Sequence, residues 1–341
     1  MSESVNVLVA SSVTPDLLKQ IRSVSPNISV DDGAGLLLQE FGAALRPGQP
    51  LPQSPPAGAD LNEMLGRAEV ILAPRRLPAD ILQRAPGLKW IQATSAGIDF
   101  LEDTGVLESD VILTTASGIH AMPMVEYVVT VMLYFTKDLK RLLANKESKK
   151  WERFNMRELN GQTVGVIGLG KIGMEIARTA KALGLRVLGV RRSAPPVVEP
   201  FIDALYQPDN LKTVLGASDF VVLAVPITHE TNHMIGAAEF KAMQPSSILI
   251  NISRGSVVDE GALVQALKQR QIGGAALDVF EHEPLSPNSE LWDLPNVFMT
   301  PHISALSDEY DARAVGLFCE NLKLYIHGDE LINLVDKSRG Y

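Results

Sequence analysis

The chain has 341 residues, which is more than one hydrophobic core usually organises, so its length predicts two domains. Its composition, 46% hydrophobic and 21% charged, is that of an ordinary globular protein and excludes the disordered, collagen-like and coiled-coil classes. The formal net charge of -9 argues against a nucleic-acid partner or an anionic membrane surface, because either would require a basic field.

The amino terminus reads MSESVNVLVA, without the basic region and long apolar run of a targeting sequence. No stretch of the chain approaches the roughly 20 apolar residues that a membrane helix requires. We therefore expect a cytoplasmic protein with no membrane partner. The single cysteine, Cys319, lies among apolar residues at helical spacing, which predicts a small buried residue and no disulfide within the chain.

Short apolar runs and amphipathic stretches alternate in the first part of the chain. Strands are predicted at 5–10, 28–30, 70–73, 88–93 and 111–114, with helices such as 15–23 and 61–65 between them. This alternation indicates a parallel sheet. Residues 46–58 carry five prolines, which predicts a loop.

A long apolar helix is predicted over 122–143, and after it the alternation of strands and helices restarts. Six strands are predicted at 163–168, 186–190, 220–225, 247–251, 274–279 and 296–300, with helices at 172–183, 208–215, 237–243 and 259–270. Six strands with helical crossovers are the content of a doubly wound, Rossmann-type dinucleotide-binding domain. One more long helix is predicted at 308–326, after the last strand.

The predicted fold class is therefore α/β, with two doubly wound domains. The Rossmann-type domain, 118–305, is expected to be inserted in a smaller flavodoxin-like domain made of 1–117 and 306–341. The reason is that the final helix follows the complete second set of strands and is expected to return to the first domain.

A G-x-G-x-x-G motif directly follows the predicted strand TVGVI and opens a helix whose apolar residues repeat at helical spacing. Its first glycine permits a tight turn, its second lets a pyrophosphate approach the backbone, and its third lets helix and strand pack closely. We therefore predict that the cofactor loop is formed by Gly168, Leu169, Gly170, Lys171, Ile172 and Gly173.

The next strand ends in Arg191, Arg192 and Ser193, where an NAD-binding protein would normally place an acidic residue for the ribose hydroxyls. A carboxylate there would repel a 2′-phosphate, whereas guanidinium groups bind phosphate through charge-assisted hydrogen bonds. The sequence therefore predicts a preference for NADP(H). A solvated basic turn is the alternative interpretation.

Three residues follow successive predicted strands: Arg254 after SILINIS, Glu283 after GAALDVFEH and His302 after NVFMTP. Ligands of open α/β sheets bind outside the carboxyl ends of the strands, so we expect all three at the edge that carries the phosphate loop. Hydride transfer to a 2-oxo acid needs a group that holds the substrate, such as arginine, and a proton donor, such as a carboxylate-supported histidine. Taken singly, each of the three residues could instead have a purely structural role.

The runs NISRGSVVDEGALVQAL, GAALDVFEHEPL and TPHISA, in this order after GLGKIG, resemble the signature segments of the D-isomer-specific 2-hydroxyacid dehydrogenases. The resemblance extends from about residue 70 to the end of the chain. It implies that Arg254 binds substrate, that Glu283 orients the histidine and that His302 is the general acid/base.

Further positions match the family more loosely. The resemblance implies that the outer domain is the substrate domain and that backbone N–H groups of a short loop hold the substrate carboxylate, although a structural turn is the alternative. The matching loop residues are Ser95, Ala96 and Gly97, and the further positions implied to line the cofactor are Val225, Pro226, Thr231, Ile252 and Asp278.

The predicted function is that of an oxidoreductase, a D-2-hydroxyacid dehydrogenase that transfers a hydride between NADP(H) and a small 2-oxo or 2-hydroxy acid, with NAD(H) as the alternative cofactor. By resemblance alone, the leading substrates are glyoxylate and hydroxypyruvate, and a homodimer through the 122–143 region is implied. No metal site is predicted. The alternatives are a nucleotide-sensing, corepressor-like binding protein and a related formate, phosphite or phosphoglycerate dehydrogenase. For Trp151, a contact with substrate or partner subunit and a core position are both open.

Overall fold

A computed structural model describes residues 4–41, 60–193 and 199–337, so the proline-rich stretch at 46–58 lies outside the described residues. The chain divides into two compact units. Unit 1 comprises Met1–Ile119 and Ser307–Tyr341, and unit 2 comprises His120–Leu306. Within the described ranges, no helix is both long enough and apolar enough to cross a membrane.

The first segment of unit 1 builds a five-stranded parallel sheet with the strand order β2-β1-β3-β4-β5, the order of flavodoxin-like folds. Strands β3 and β4 are buried at every position, as expected for parallel strands that are covered on both faces. The elements are β1 Val5–Val9, α1 Pro15–Arg22, β2 Ile28–Asp32, α2 Ala34–Phe41, α3 Leu61–Arg67, β3 Val70–Ala73, α4 Ile81–Arg84, β4 Trp90–Ala93 and β5 Ile112–Thr114.

Unit 2 builds a seven-stranded parallel sheet with the order β12-β11-β10-β9-β6-β7-β8, which contains the doubly wound, Rossmann-type arrangement around β6. Its elements are α5 Ala121–Thr136, α6 Leu139–Glu147, β6 Thr163–Ile167, α7 Lys171–Ala182, β7 Arg186–Val190, β8 Ala204–Tyr206, α8 Leu211–Ala217, β9 Phe220–Leu223, α9 Ala237–Ala242, β10 Ile248–Asn251, α10 Glu260–Lys268, β11 Gly274–Leu277 and β12 Val297–Met299. The predicted α/β class with two doubly wound sheets is confirmed. Strand β8 was missed because it has only three residues, all of them partly buried, so its apolar run is too short to stand out.

The prediction of one long helix over 122–143 is wrong, because two helices occupy this stretch. Helix α5 ends at Thr136, and α6 begins after Asp138, whose φ of 51° is left-handed and interrupts the helical backbone. The Asp138 side chain accepts a hydrogen bond from the backbone N–H of Arg141, so it caps α6. Aspartate favours such caps over helix interiors because its short side chain competes for backbone donors.

The strands of unit 2 are in a register that aligns the ends of all seven, since Ile167 also pairs with Val190 at the end of β7, and Val190 pairs with Tyr206 at the end of β8. One row across the sheet contains Ile167, Leu223, Asn251, Leu277 and Met299, each paired with the next. Each strand therefore leaves the sheet at the same level, and the residues that follow this row open neighbouring loops at the carboxyl edge. This register positions the candidate site.

After unit 2, the chain returns to unit 1 and forms α11, Tyr310–His327. This helix packs on β4, where the Trp90 ring stacks with Phe318 at 5.4 Å and with Tyr325 at 5.3 Å between centroids. Cys319 on the same helix is buried, as predicted, and burial raises the pKa of its thiol to about 11. The thiolate is therefore scarce at neutral pH.

We expect Cys319 to react with a disulfide reagent such as Ellman's reagent only when unit 1 opens. At pH 8 roughly one thiol in a thousand would be ionised if the pKa is about 11, and the thiolate is the reactive form. The labelling rate of the folded protein should thus be at least 100-fold below that in urea, as measured by absorbance. Labelling at equal rates in both states would contradict the buried position.

Candidate active site

The loop between β6 and α7 carries the three glycines of the G-x-G-x-x-G motif, and their surroundings differ. Gly168 turns with a φ of +100°, and a Cβ there would lie 2.5 Å from the carbonyl oxygen of Ala224. A Cβ on Gly173 would lie 1.9 Å from the carbonyl oxygen of Gly168. A Cβ on Gly170, in contrast, would meet no described atom within 4 Å. Packing therefore requires the outer glycines, whereas the middle one faces open space.

The geometry of this loop fits a dinucleotide pyrophosphate. Gly170 is the N-cap of α7. Because glycine has no side chain, it cannot accept hydrogen bonds from the backbone N–H groups of the first turn. These N–H groups and the positive end of the helix dipole favour an anion, and the open space at Gly170 lets one approach. The side chains of Leu169 and Ile172 pack in the apolar core of unit 2, while Lys171 is exposed.

The predicted 2′-phosphate site lies directly after β7. Arg191, Arg192 and Ser193 are all exposed, and the backbone N–H of Arg191 donates to the carbonyl of Tyr206, which fixes the start of the turn. Nη1 of Arg192 lies 2.9 Å from a carboxylate oxygen of Glu230. Such exposed pairs contribute only about 0–1 kcal/mol, so a phosphate dianion could displace the Glu230 carboxylate.

The other predicted cofactor residues lie around the same edge of the sheet. Val225 packs next to Gly168, since a Cβ added to Gly168 would lie 2.8 Å from a methyl carbon of Val225. The Thr231 hydroxyl donates to the carbonyl of Pro226 at 2.7 Å and so closes the turn after β9. Ile252 is buried in the apolar core, so its side chain packs internally.

His302 and Glu283 are joined by a hydrogen bond of 2.8 Å between Nδ1 of the imidazole and Oε2 of the carboxylate. The other carboxylate oxygen, Oε1, accepts the backbone N–H of Phe280 at 3.1 Å, which orients the carboxylate. Since Nδ1 is directed at Glu283, Nε2 is the nitrogen that can exchange a proton with a ligand. The structure thus brings together two of the three predicted catalytic residues as a carboxylate-supported imidazole.

Arg254 opens the turn after β10, and two contacts fix this turn. A Cβ on the neighbouring Gly255 would lie 1.8 Å from the carbonyl carbon of Phe280, so the turn lies against the segment that leads to the predicted carboxylate. The side-chain amide of Asn251 donates to the backbone carbonyl of Arg254 at 3.0 Å. The guanidinium itself is partly exposed, and its Nη1 donates to the preceding carbonyl at 2.9 Å.

Asp278 follows β11 and is only 1% exposed. Its Oδ1 accepts the Thr300 hydroxyl at 2.6 Å and the backbone N–H of Ile303 at 2.9 Å, and its Oδ2 accepts the N–H of Ser304 at 3.0 Å. Its backbone carbonyl accepts the N–H of His302 at 2.8 Å. The contact of Asp278 with the cofactor stays a prediction, whereas its carboxylate visibly holds the loop after β12.

In unit 1, the predicted substrate loop Ser95, Ala96 and Gly97 follows β4. The buried Ser95 hydroxyl donates to the carbonyl of Gly97 at 2.8 Å, and the Ser95 carbonyl accepts the N–H of Ala116. Within the described part of the chain, the backbone N–H groups of Ala96 and Gly97 make no hydrogen bond. They are therefore available as donors to a carboxylate, which is what the sequence predicts for this loop.

Sequence analysis missed three polar residues that hold the predicted ones in place: Asn251, Thr300 and Tyr127. Asn251 and Thr300 lie at the ends of apolar strands, and a polar residue in that position is a signal that could have identified them. Tyr127 on α5 contacts Thr300 at 2.9 Å between the two hydroxyl oxygens, although the two are 173 positions apart in the chain. No local pattern indicates such a contact.

Comparison with known proteins extends these observations. The family model described as "D-isomer specific 2-hydroxyacid dehydrogenase, NAD binding domain" matches residues 129–304. A glyoxylate reductase of Thermococcus litoralis is 35% identical over 296 residues, which cover 84% of this chain and 88% of that protein. A D-3-phosphoglycerate dehydrogenase of Methanocaldococcus jannaschii is 32% identical over 81% of this chain but only 53% of its own length.

Among solved structures, an NADPH-dependent glyoxylate/hydroxypyruvate reductase of Sinorhizobium meliloti, in complex with NADP and sulfate, is similar throughout. Its TM-score is 0.80 at 28% sequence identity, and the match covers 99% of this chain and 100% of that one. The similarity therefore includes both units of the chain.

Substitutions of the glycines should separate folding from cofactor binding. Gly173→Ala places a methyl group against the backbone of Gly168, so we expect it to lower the free energy of unfolding by on the order of 3 kcal/mol. Gly170→Ala fills only open space, so we expect a change in unfolding free energy within about 1 kcal/mol. The same methyl group should weaken binding of NADPH or NADH at least tenfold because it blocks the approach of the pyrophosphate.

Urea unfolding and nicotinamide fluorescence titration measure the two effects separately. Cofactor affinity unchanged by Gly170→Ala would mean that the pyrophosphate does not lie on this loop.

Proposed function

This chain belongs to the D-isomer-specific 2-hydroxyacid dehydrogenases, and we propose that it is an NADP-preferring reductase of glyoxylate and hydroxypyruvate. It is an oxidoreductase that uses a nicotinamide dinucleotide. The observation that carries the proposal is the 2.8 Å bond between His302 and Glu283 at the edge of the sheet that also holds the phosphate loop. The names of the relatives from Thermococcus litoralis and Sinorhizobium meliloti support the choice of substrates.

The proton is handled by His302. A bound nicotinamide dinucleotide supplies the hydride that reaches C2 of the 2-oxo acid. Nε2 of His302 donates a proton to the oxygen on that carbon, and in the reverse direction it accepts the proton. The Glu283 carboxylate holds Nδ1, so it fixes the ring and stabilises the imidazolium before the proton leaves.

The substrate carboxylate needs local donors because the chain as a whole is acidic. Arg254 provides a permanently charged guanidinium, and Asn251 and Gly255 hold the turn that carries it. The available N–H groups of Ala96 and Gly97 are proposed as further donors. In this proposal unit 2 holds the cofactor and the acid/base.

The preference for NADP(H) is assigned to Arg191, Arg192 and Ser193. Two exposed guanidinium groups and a hydroxyl suit a 2′-phosphate, and no carboxylate precedes them at the end of β7. Glu230 is an acidic partner of Arg192, and an exposed pair of this kind is weak enough to be exchanged for phosphate.

A cytoplasmic homodimer is also part of the proposal. Large apolar side chains are exposed along the 122–156 stretch, which includes the predicted dimer region. They are Met122, Leu143, Trp151 and Met156, and Trp151 is 96% exposed, so it is not a core residue. Exposed apolar side chains of this size are typical of protein interfaces when they form a continuous patch.

The alternatives differ in what they require of the site. A nucleotide-sensing, corepressor-like protein needs the phosphate loop but has no use for a carboxylate-supported imidazole, so the His302–Glu283 pair favours the enzyme. Formate and phosphite dehydrogenases act on other substrates. A phosphoglycerate dehydrogenase activity is compatible with the same site. Because the relative from Methanocaldococcus jannaschii carries that name, 3-phosphoglycerate is included in the test.

A panel of 2-oxo and 2-hydroxy acids, assayed with NADPH and NADH by nicotinamide absorbance, tests the proposal directly. We expect glyoxylate and hydroxypyruvate to be reduced with the highest kcat/KM, and His302→Ala to lower kcat by about 10²–10⁴-fold because the proton donor is lost. Cofactor affinity should change little.

His327→Ala is the matched control, because this exposed histidine caps the end of α11 and should leave turnover unchanged. Turnover by His302→Ala equal to that of the wild type would remove the proposed acid. Preferred turnover of 3-phosphoglycerate would replace the proposed substrates.

The double substitution Arg191→Ala with Arg192→Ala should reverse the cofactor preference. We expect kcat/KM for NADPH to fall about 10–100-fold and that for NADH to stay within about threefold, because only NADPH carries the 2′-phosphate. Arg178→Ala, an exposed arginine of α7 paired with Glu175, controls for the loss of surface charge. Equal losses with both cofactors would contradict the assignment.

A further inference from the structure

The loop after β12 carries His302 in an unusual backbone conformation. His302 has a φ of +56°, in the left-handed region that side chains with a Cβ rarely adopt. A conformation of this kind persists only where surrounding contacts hold it. The contacts that hold this loop therefore decide where the imidazole lies.

Asp278 makes most of these contacts, since four groups between residues 300 and 304 donate to it. A carboxylate that is 99% buried is stable only when hydrogen bonds replace its lost hydration, and three of the four donors reach its oxygens. The carboxylate and the loop therefore stabilise each other.

The Thr300 hydroxyl extends this contact to α5. It donates its one proton to Oδ1 of Asp278 at 2.6 Å, so at its 2.9 Å contact with Tyr127 it must be the acceptor. The hydrogen bonds thus run in one direction, from the Tyr127 phenol through Thr300 to Asp278. Burial and the Asp278 charge raise the pKa of Tyr127, so the phenol stays protonated and able to donate at every ordinary assay pH.

The first residue of this series of hydrogen bonds, Tyr127, is held in place on helix α5. Tyr127 is half-buried, and its ring also lies against Phe298 of β12, with 6.4 Å between ring centroids. The tyrosine therefore contacts the last strand through its ring and the following loop through its hydroxyl.

We propose that Tyr127 and Thr300 are positioning residues for the acid/base: through Asp278 they hold the 300–304 loop in the conformation that directs His302 at Glu283. The proposal rests on the acid/base role proposed for His302. Within the described residues, no hydrogen bond joins Tyr127 or Thr300 to the phosphate loop at 168–173, so their hydroxyl groups should affect proton transfer while cofactor binding stays the same.

The first test separates the hydroxyl groups from the bulk of the side chains. Thr300→Val removes the central hydroxyl at constant shape, and we expect kcat to fall about 10–100-fold, because small misplacements of catalytic groups have effects of this size. KM and the cofactor Kd should stay within about threefold. Thr300→Ser keeps the hydroxyl and should retain kcat within about threefold of the wild type.

Tyr127→Phe removes the first donor and should lower kcat about 3–10-fold. Tyr134→Phe is the matched control, because Tyr134 lies on the same helix with its ring 4.9 Å from that of Phe298, and its hydroxyl lies outside this chain of bonds. A Thr300→Val enzyme with unchanged kcat, or a loss that Thr300→Ser does not restore, would overturn the proposal.

A second test asks whether Tyr127 acts through His302. In the His302→Ala background, Tyr127→Phe should leave the residual rate within about twofold, because the group that it positions is gone. A further loss as large as that in the wild-type background would mean that Tyr127 acts on catalysis by another route, and the proposal would be wrong.

Amide hydrogen exchange provides a readout that needs no substrate. Deuterium uptake at residues 300–304 should rise in Tyr127→Phe and Thr300→Val and stay at the wild-type level in Tyr134→Phe and Thr300→Ser. Unchanged deuterium uptake in Tyr127→Phe and Thr300→Val would overturn the proposed positioning role of these two residues, whether or not the enzyme is active. Raised uptake, together with no turnover of any 2-oxo acid by the wild type, would instead refute the proposed function.

Discussion

The common register of the parallel strands in unit 2 is the constraint on which the candidate site depends. Because Ile167, Leu223, Asn251, Leu277 and Met299 form one row, the loops that follow them begin at the same level. Strands β9, β10 and β11 are buried at every position and almost entirely apolar, so polar groups accumulate mainly at and beyond the strand ends. The glycine-rich loop, the turn that carries Arg254 and the loop that carries His302 open at the same edge of the sheet for this reason.

Close backbone packing then determines the shape of each loop. Gly168 and Gly255 lie where any side chain would overlap a backbone carbonyl of another loop, and Gly173 lies where it would overlap the Gly168 carbonyl of its own loop. These contacts lock the loops to one another without using polar side chains. At the start of α7, no side chain of the N-cap residue Gly170 accepts the backbone N–H groups, and an anion is the partner that such a helix end favours.

The charged groups of the candidate site differ in burial and in the number of hydrogen bonds that they make. The Asp278 carboxylate is buried and fully engaged by loop donors, so it serves positioning. The Glu283 carboxylate is partly exposed and shares its oxygens between a backbone N–H and the His302 imidazole. Arg191 and Arg192 after β7 are exposed, and Arg192 forms an ion pair with Glu230 of the exposed kind that contributes little to stability.

The sequence by itself determined the α/β class, every strand of the two sheets except β8, and the glycine-rich turn between β6 and α7, because these depend on local periodicity and on glycines at defined spacing. The His302–Glu283 pairing could also be anticipated, since both residues follow strands of one parallel sheet. The break in the apolar stretch at 122–143 was missed because the helical pattern continues on both sides of Asp138, although the cap that this residue forms is local. Only the tertiary structure brought Tyr127 to Thr300, because a contact between a helix and a strand end far along the chain depends on how the whole unit packs and leaves no trace in either local pattern.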